Sequence, residues 1–92
     1  MRTISYTSRF KRDYKRLQSG IYAKAVTHDL PSLLQMLATD ETLPVQFRDH
    51  SLTGEYNDSR DCHVRPDLVL ICRKPDDLLL ELVRIGTHSE LF

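Results

Sequence analysis

Apolar residues recur along this chain with two periods, and the switches between them predict its elements. In Thr3-Ile4-Ser5-Tyr6-Thr7, polar and apolar positions alternate and several are β-branched or aromatic, which predicts a short strand with one buried face. Thr7 or Ser8 can then cap a helix in which Phe10, Tyr14 and Leu17 recur at i, i+4 and i+7, with Gly20 ending it. A second helical stripe, from about Ile21 to Ala38, runs through Tyr22, Val26, Leu30, Leu33, Leu34 and Leu37. Pro31 lies inside that stripe. It lacks an N–H and crowds the carbonyl four residues back, so the helix is expected to kink or restart near His28 to Leu30, with Asp29 a candidate cap.

From Thr42 to Gly54 the periodicity breaks, with Pro44 and Gly54 as punctuation and Phe47, His50 and Leu52 in a loop or short strand. Asn57-Asp58-Ser59 reads as a turn. Alternation returns in Arg60-Asp61-Cys62-His63-Val64-Arg65, with Cys62 and Val64 on one face and Asp61, His63 and Arg65 on the other. Pro66-Asp67 bends the chain, Leu68 to Cys72 forms a buried strand, and Lys74 to Asp77 forms a turn. Leu78 to Ile85 is the last strand, stopped by Gly86. The order β-α-α followed by three or four closely connected strands predicts one α+β domain over residues 1–92, a small antiparallel sheet with two N-terminal helices on one face.

Composition narrows the class. At 92 residues, 40% hydrophobic and 28% charged, the chain has room for one compact core and none of the bias of disordered, coiled-coil or repeat sequences. No apolar run approaches the ~18 residues that span a bilayer, and Met-Arg-Thr-Ile-Ser is not a signal region, so a cytoplasmic protein without membrane contact is expected. Cys62 and Cys72 lack zinc or redox spacing and read as reduced core residues. The net charge of zero hides a division. Residues 1–24 hold seven basic side chains and one acid, Asp13, giving +6, whereas residues 25–92 hold six basic and twelve acidic ones, giving −6. A basic end on a neutral protein suits either a solvated helix face or a polyanion contact, with Lys11, Arg12, Lys15 and Arg16 as phosphate ligands.

Four histidines are the candidate chemistry. His28 falls on the helical segment, whereas His50, His63 and His88 fall near strand ends or on the polar strand face. Imidazole, with an unperturbed pKa of ~6.5, both takes and gives protons near neutrality, although a single histidine is more often a surface or half-buried residue than a catalyst. The intervals of 13 and 25 residues match no short metal-ligand motif, so no metal or cofactor is expected. A Cys62–His63 nucleophile pair fails because adjacent strand residues face opposite ways.

Four stretches together resemble one family. His50-Ser51-Leu52-Thr53-Gly54, Arg60-Asp61-Cys62-His63-Val64-Arg65-Pro66-Asp67, Leu70-Ile71 and Arg84-Ile85-Gly86-Thr87-His88-Ser89-Glu90-Leu91-Phe92 resemble the YafQ branch of the RelE-like bacterial toxins. The resemblance covers the whole chain and its element order. It implies a metal-independent endoribonuclease that cuts mRNA in the ribosomal A site, with the 70S ribosome and mRNA as partners. It also implies inhibition by an antitoxin of the ribbon-helix-helix kind, and contact with operator DNA only through that complex. Carried over by position, it assigns His50, His63, Asp67 and His88 to catalysis and Phe92 to holding substrate. RNA cleavage by its own 2′-hydroxyl needs one proton taken, another given and the phosphate charge steadied, which such residues can do unaided. Arg84, four residues before His88, suits that charge, or is an ion-paired arginine with Glu81 and Glu90 close in sequence.

Close relatives often carry aromatic residues directly after the aspartate and four positions later, where this chain has Leu68 and Cys72. That difference and the neutral charge raise a second reading, a non-catalytic ribosome- or antitoxin-binding module of the same fold. A third, a DNA-binding repressor using the basic helix, predicts retention of a specific duplex by the protein alone.

Overall fold

The computed structural model describes residues 1–52, 54–56 and 58–92, with only the backbone of His50 and Glu55. Strand β1 (Thr3–Tyr6) leads into α1 (Ser8–Gln18), a π-helical turn (Ala25–Asp29) and α2 (Leu30–Ala38). Short 3-10 turns at Val45–Phe47 and Gly54–Tyr56 flank the two-residue β2 (His50–Ser51). Strands β3 (Arg60–Arg65), β4 (Leu68–Arg73) and β5 (Leu79–Gly86) follow, then a one-turn helix α3 (His88–Leu91). The sheet order is β1-β5-β4-β3-β2.

The α+β class and the two helices on one face match the expectation. The sheet is mixed, however, because β1 pairs with β5 in parallel and every other pair is antiparallel. The tight turns that force antiparallel pairing join only β3, β4 and β5, whereas β1 reaches β5 after the rest of the fold and is free of that constraint. Arg2 fixes the match at one end, its guanidinium donating to the Asp76 and Leu79 carbonyls and to Asp40.

Thr7 is the N-cap of α1, its Oγ1 accepting from Phe10 N at 3.0 Å. The disturbance at Pro31 takes a specific form. Leu30 N donates to Ala25 O, five residues back, and the wider turn absorbs the missing proline N–H. Asp29 does not cap α2 with its side chain; it instead accepts from Arg65 Nε at 2.7 Å, tying the π turn to β3. Phe10, Leu17, Val26, Leu30, Leu33 and Leu37 pack on Cys62, Val64, Leu70, Leu80 and Leu82, so the helical stripes and alternate strand residues close one core. Cys62 and Cys72 are buried and free. Their contact, with burial, pushes the Cys62 thiol up, which keeps it protonated.

Beyond Tyr6, β1 no longer covers β5, and α1 takes over that edge. Thr7 N donates to Leu82 O, Thr7 Oγ1 to Val83 O, and Ile85 N donates to Asp13 Oδ2. The N-cap of α1 and its Asp13 side chain thus satisfy a strand edge that would otherwise be open.

Candidate active site

The opposite face of the sheet carries a second, smaller apolar cluster. Val69, Ile71 and Leu91 form its buried floor, with Leu52, Tyr56 and Val83 packed against them. Registration across the strands brings the polar candidates to the edges of that floor. His63 lies opposite Val69, and Val69 opposite Gly86, two residues before His88. Two strand spacings of ~4.8 Å therefore separate the His63 backbone from the segment that carries His88. On the next ladder rung, Ile71 lies opposite Arg84.

Each candidate is held by local chemistry. His63 is half-buried, with Nδ1 3.3 Å from the Pro66 carbonyl. In the tautomer that donates this bond, Nε2 keeps its lone pair for accepting a proton. Asp67, one residue beyond that proline, is exposed and accepts from the Tyr22 hydroxyl at 2.5 Å. The bond to the carboxylate is the main reason that the Tyr22 hydroxyl titrates above its ordinary value of 10.0. Asp67 is thus partnered by a tyrosine of the α1–α2 connection.

His88 opens α3 and Phe92 directly follows it, a turn not foreseen from the sequence, where Gly86 only stops the last strand. A capping box builds it: Thr87 Oγ1 accepts from Glu90 N at 3.3 Å, and Glu90 Oε1 accepts from Thr87 N at 2.8 Å. The Thr-x-x-Glu spacing of Thr87 and Glu90 is a readable signal for that turn. One helical turn then brings the two rings together, with the His88 and Phe92 centroids 4.7 Å apart and the planes tilted by 37°. Tyr56, which sequence reasoning missed, meets Phe92 edge-on at 5.9 Å. Glu90 also receives Arg16, and the Thr87 backbone bond foremost, with Arg16 after it, holds its carboxyl below the ordinary 4.5.

Arg84 is ion-paired, with Asp13 of α1 and not with the Glu81 or Glu90 close to it in sequence. Its Nε and Nη2 donate to Asp13 Oδ2 and Oδ1 at 2.9 and 2.8 Å, a two-pronged bond that Asp13 adds to its hold on Ile85 N. The carboxylate keeps the guanidinium charged and orients it, leaving Nη1 uncommitted to Asp13.

The backbone of His50 pairs with Asp61 at the β2 edge of the sheet, and its side chain lies outside the described residues. So does Asn57 of the expected turn. His28 is exposed on the helix layer. Lys11, Arg12, Lys15 and Arg16 are all exposed on α1, but on two flanks. Arg9, Arg12 and Arg16 share a helical face that borders Tyr56 and Glu90, whereas Lys11 borders an apolar groove of about 400 Å³ between α1 and α2. No group of three or more metal-ligating side chains occurs among the described residues.

A family described as a bacterial toxin of type II toxin-antitoxin systems, YafQ, matches residues 2–92. The chain belongs to the YafQ toxin family. It is 36% identical over 92 residues to the mRNA interferase toxin YafQ of Escherichia coli K12, covering 99% of this chain and 96% of that one. Among solved structures, a copper-bound mutant toxin from Helicobacter pylori superposes with a TM-score of 0.90 at 34% identity, over the whole of both chains. YafQ in the E. coli DinJ-YafQ complex superposes with a TM-score of 0.83 at 34% identity, covering 100% of this chain and 99% of that one. Set in the YafQ fold, Leu68 and Cys72 are core residues packed towards the helices, so the lack of aromatic rings there takes no stacking surface from the histidine face. The aromatic surface of that face is supplied by Tyr56 and Phe92. Among the described residues no helix is long and apolar enough to cross a membrane.

Proposed function

We propose that this toxin is an endoribonuclease that cuts mRNA in the ribosomal A site by metal-independent acid–base chemistry, and that a co-encoded antitoxin of the ribbon-helix-helix kind silences it. The antitoxin complex, not the toxin alone, contacts operator DNA. The mRNA interferase name of the E. coli relative and the DinJ-YafQ complex support the activity class and the partner. The observation that carries the mechanism is the register His63–Val69–Gly86, which sets an imidazole at one edge of an apolar floor and the His88-Phe92 turn at the other.

A message laid over that floor has its 2′-hydroxyl deprotonated by His63 Nε2, that 2′-oxygen attacks the adjacent phosphorus, and the bond to the 5′-oxygen breaks. His88, exposed at the start of α3, gives that oxygen its proton. His50 and Asp67 take the catalytic parts that the family resemblance gives them, and Arg84, aimed by Asp13, faces the charge that builds on the phosphate. Phe92 holds a neighbouring base by stacking. The products are a 2′,3′-cyclic phosphate and a 5′-hydroxyl. Acid–base groups of this kind contribute ~10²–10⁴-fold, and fixed positive charge adds to that.

Expressing the chain with and without its neighbouring gene, and mapping transcript ends, tests this reading. Growth arrest with new in-frame ends, both relieved by the neighbour, is expected. Arrest with intact messages would instead support the non-catalytic module.

A further inference from the structure

Next to the histidine face lies a second concavity that the proposed chemistry does not use. It measures about 290 Å³ and is lined by Tyr56, Arg9, Arg73, Glu81 and Asp58, over an apolar wall from Val83. That is about the low end of the ~300–1,000 Å³ of small-ligand clefts, enough for one planar ring system and too little for a folded partner. Its polar groups are of both signs. Arg73 donates to Glu81 and lies in the field of Asp58, and Arg9 projects from α1 on the flank that continues to Arg12 and Arg16. A site for phosphate alone would exclude the two acids. A flat ring flanked by cationic donors and carboxylate acceptors is instead what a nucleobase needs, stacking on its face and hydrogen bonds on its edge.

The position of the groove points the same way. His88 touches Phe92 at a tilt and Phe92 meets Tyr56 edge-on, so a continuous run of rings leads from the candidate acid to the groove. A strand whose base rests on Phe92 delivers its next base to Tyr56.

We infer that the Tyr56 groove is a nucleobase subsite that reads one base beside the scissile phosphate and favours bases bearing an exocyclic amine, which the Asp58 and Glu81 carboxylates can accept from, over uracil. This inference rests on the ribonuclease reading. It adds a specificity determinant to it, with Tyr56 as the stacking surface and Arg9 as the contact for the strand's backbone.

The test is a competition between programmed ribosomes whose messages differ in a single base at each position flanking the cut. The wild type is expected to prefer amine-bearing bases over uracil at one of these positions by about 5-fold or more, the discrimination that ~1 kcal/mol of base contact provides. Tyr56→Leu keeps an apolar packing group above Ile71 but offers no flat ring, and it should bring the ratio towards one; Tyr56→Phe should recover it. Arg9→Gln should lower kcat/KM for all the messages alike. A ratio of one in the wild type, or an unaltered ratio in Tyr56→Leu, overturns the inference while leaving the nuclease intact. A wild type that cuts no message removes the ribonuclease reading itself, a result visible before any variant is compared.

Discussion

At the scale of single residues, the telling one is Asp13, the lone acid of the basic N-terminal segment. Its carboxylate accepts from Arg84 twice and from Ile85 N, and is 8% exposed against 18% for the arginine. It therefore closes a strand edge and fixes the direction of the Arg84 guanidinium at the same time. Replacing it takes the carboxylate from a half-buried guanidinium and the acceptor from a buried strand amide, at a cost of about 3 kcal/mol. For a chain of this size Asp13→Ala should melt about 10–20 °C lower, and Asp13→Asn, which can still accept from Ile85 N, should fall less. Calorimetry checks both. The cleavage rate of Asp13→Asn, measured well below its melting temperature, should nevertheless drop, because the neutral amide no longer holds Arg84 in place.

At the scale of elements, α3 is the shortest of the three α-helices and carries the candidate acid His88. Four residues make too short a helix to stand by itself, so its existence depends on the Thr87–Glu90 capping box and on Leu91 buried in the floor. The Arg16–Glu90 pair adds little, since the arginine is half exposed and surface pairs contribute ~0–1 kcal/mol. Gly86 keeps the close turn uncrowded: a Cβ there would lie 3.2 Å from Glu90 Oε1 and push that side chain slightly aside. Loss of the cap should cost about 1 kcal/mol locally. Thr87→Ala should then broaden the Phe92 ring resonances and slow cleavage, with the global melt little changed. The pH dependence has a definite sign. The Glu90 carboxyl titrates below 4.5 when folded, so its contribution to α3 is fully present above 4.5 and is lost as pH falls through the folded value. Acid titration followed on the Phe92 ring should show α3 loosening in that interval, and Glu90→Gln should abolish the step.

At the scale of the molecule, the charge division seen in the sequence is largely folded back on itself. Arg2 meets Asp40 and Arg16 meets Glu90, so acids of the second half neutralise part of the basic end, whose own single acid, Asp13, meets Arg84. What is left for a polyanion is the Arg9–Arg12 flank beside the site, with Lys11 and Lys15 on the far flank. Reversing Arg9 and Arg12 should weaken ribosome association and lower its salt slope by about one for each phosphate that is no longer neutralised. Reversing Lys11 and Lys15 should do less; equal effects from the two pairs would show that the flanks do not differ.

The fold was legible because its elements follow local periodicity. Alternation placed Cys62 and Val64 in the core and His63 outside it, and the helical stripes of Phe10 and Leu17 and of Val26 to Leu37 packed as spaced. The parallel β1–β5 pair was not legible, since no turn joins those strands, and neither was the Asp13–Arg84 bond across 71 positions. Tyr22 and Tyr56 were hidden for the same reason: what they touch lies far away in sequence. His63, Asp67, His88 and Phe92 came from a motif resemblance, and the sheet register explains why such separated stretches belong together.

The central claim is that imidazoles at the two sides of the Val69–Gly86 rung perform the proton transfers. Purified toxin, programmed ribosomes and end-labelled message test it most directly, in wild type, His63→Ala and His88→Ala. The account predicts a wild-type cut ending in a 2′,3′-cyclic phosphate and a 5′-hydroxyl, slowed at least ~100-fold in each variant while ribosome binding persists. Cleavage at the wild-type rate in both variants, or products with a 5′-phosphate, would contradict it.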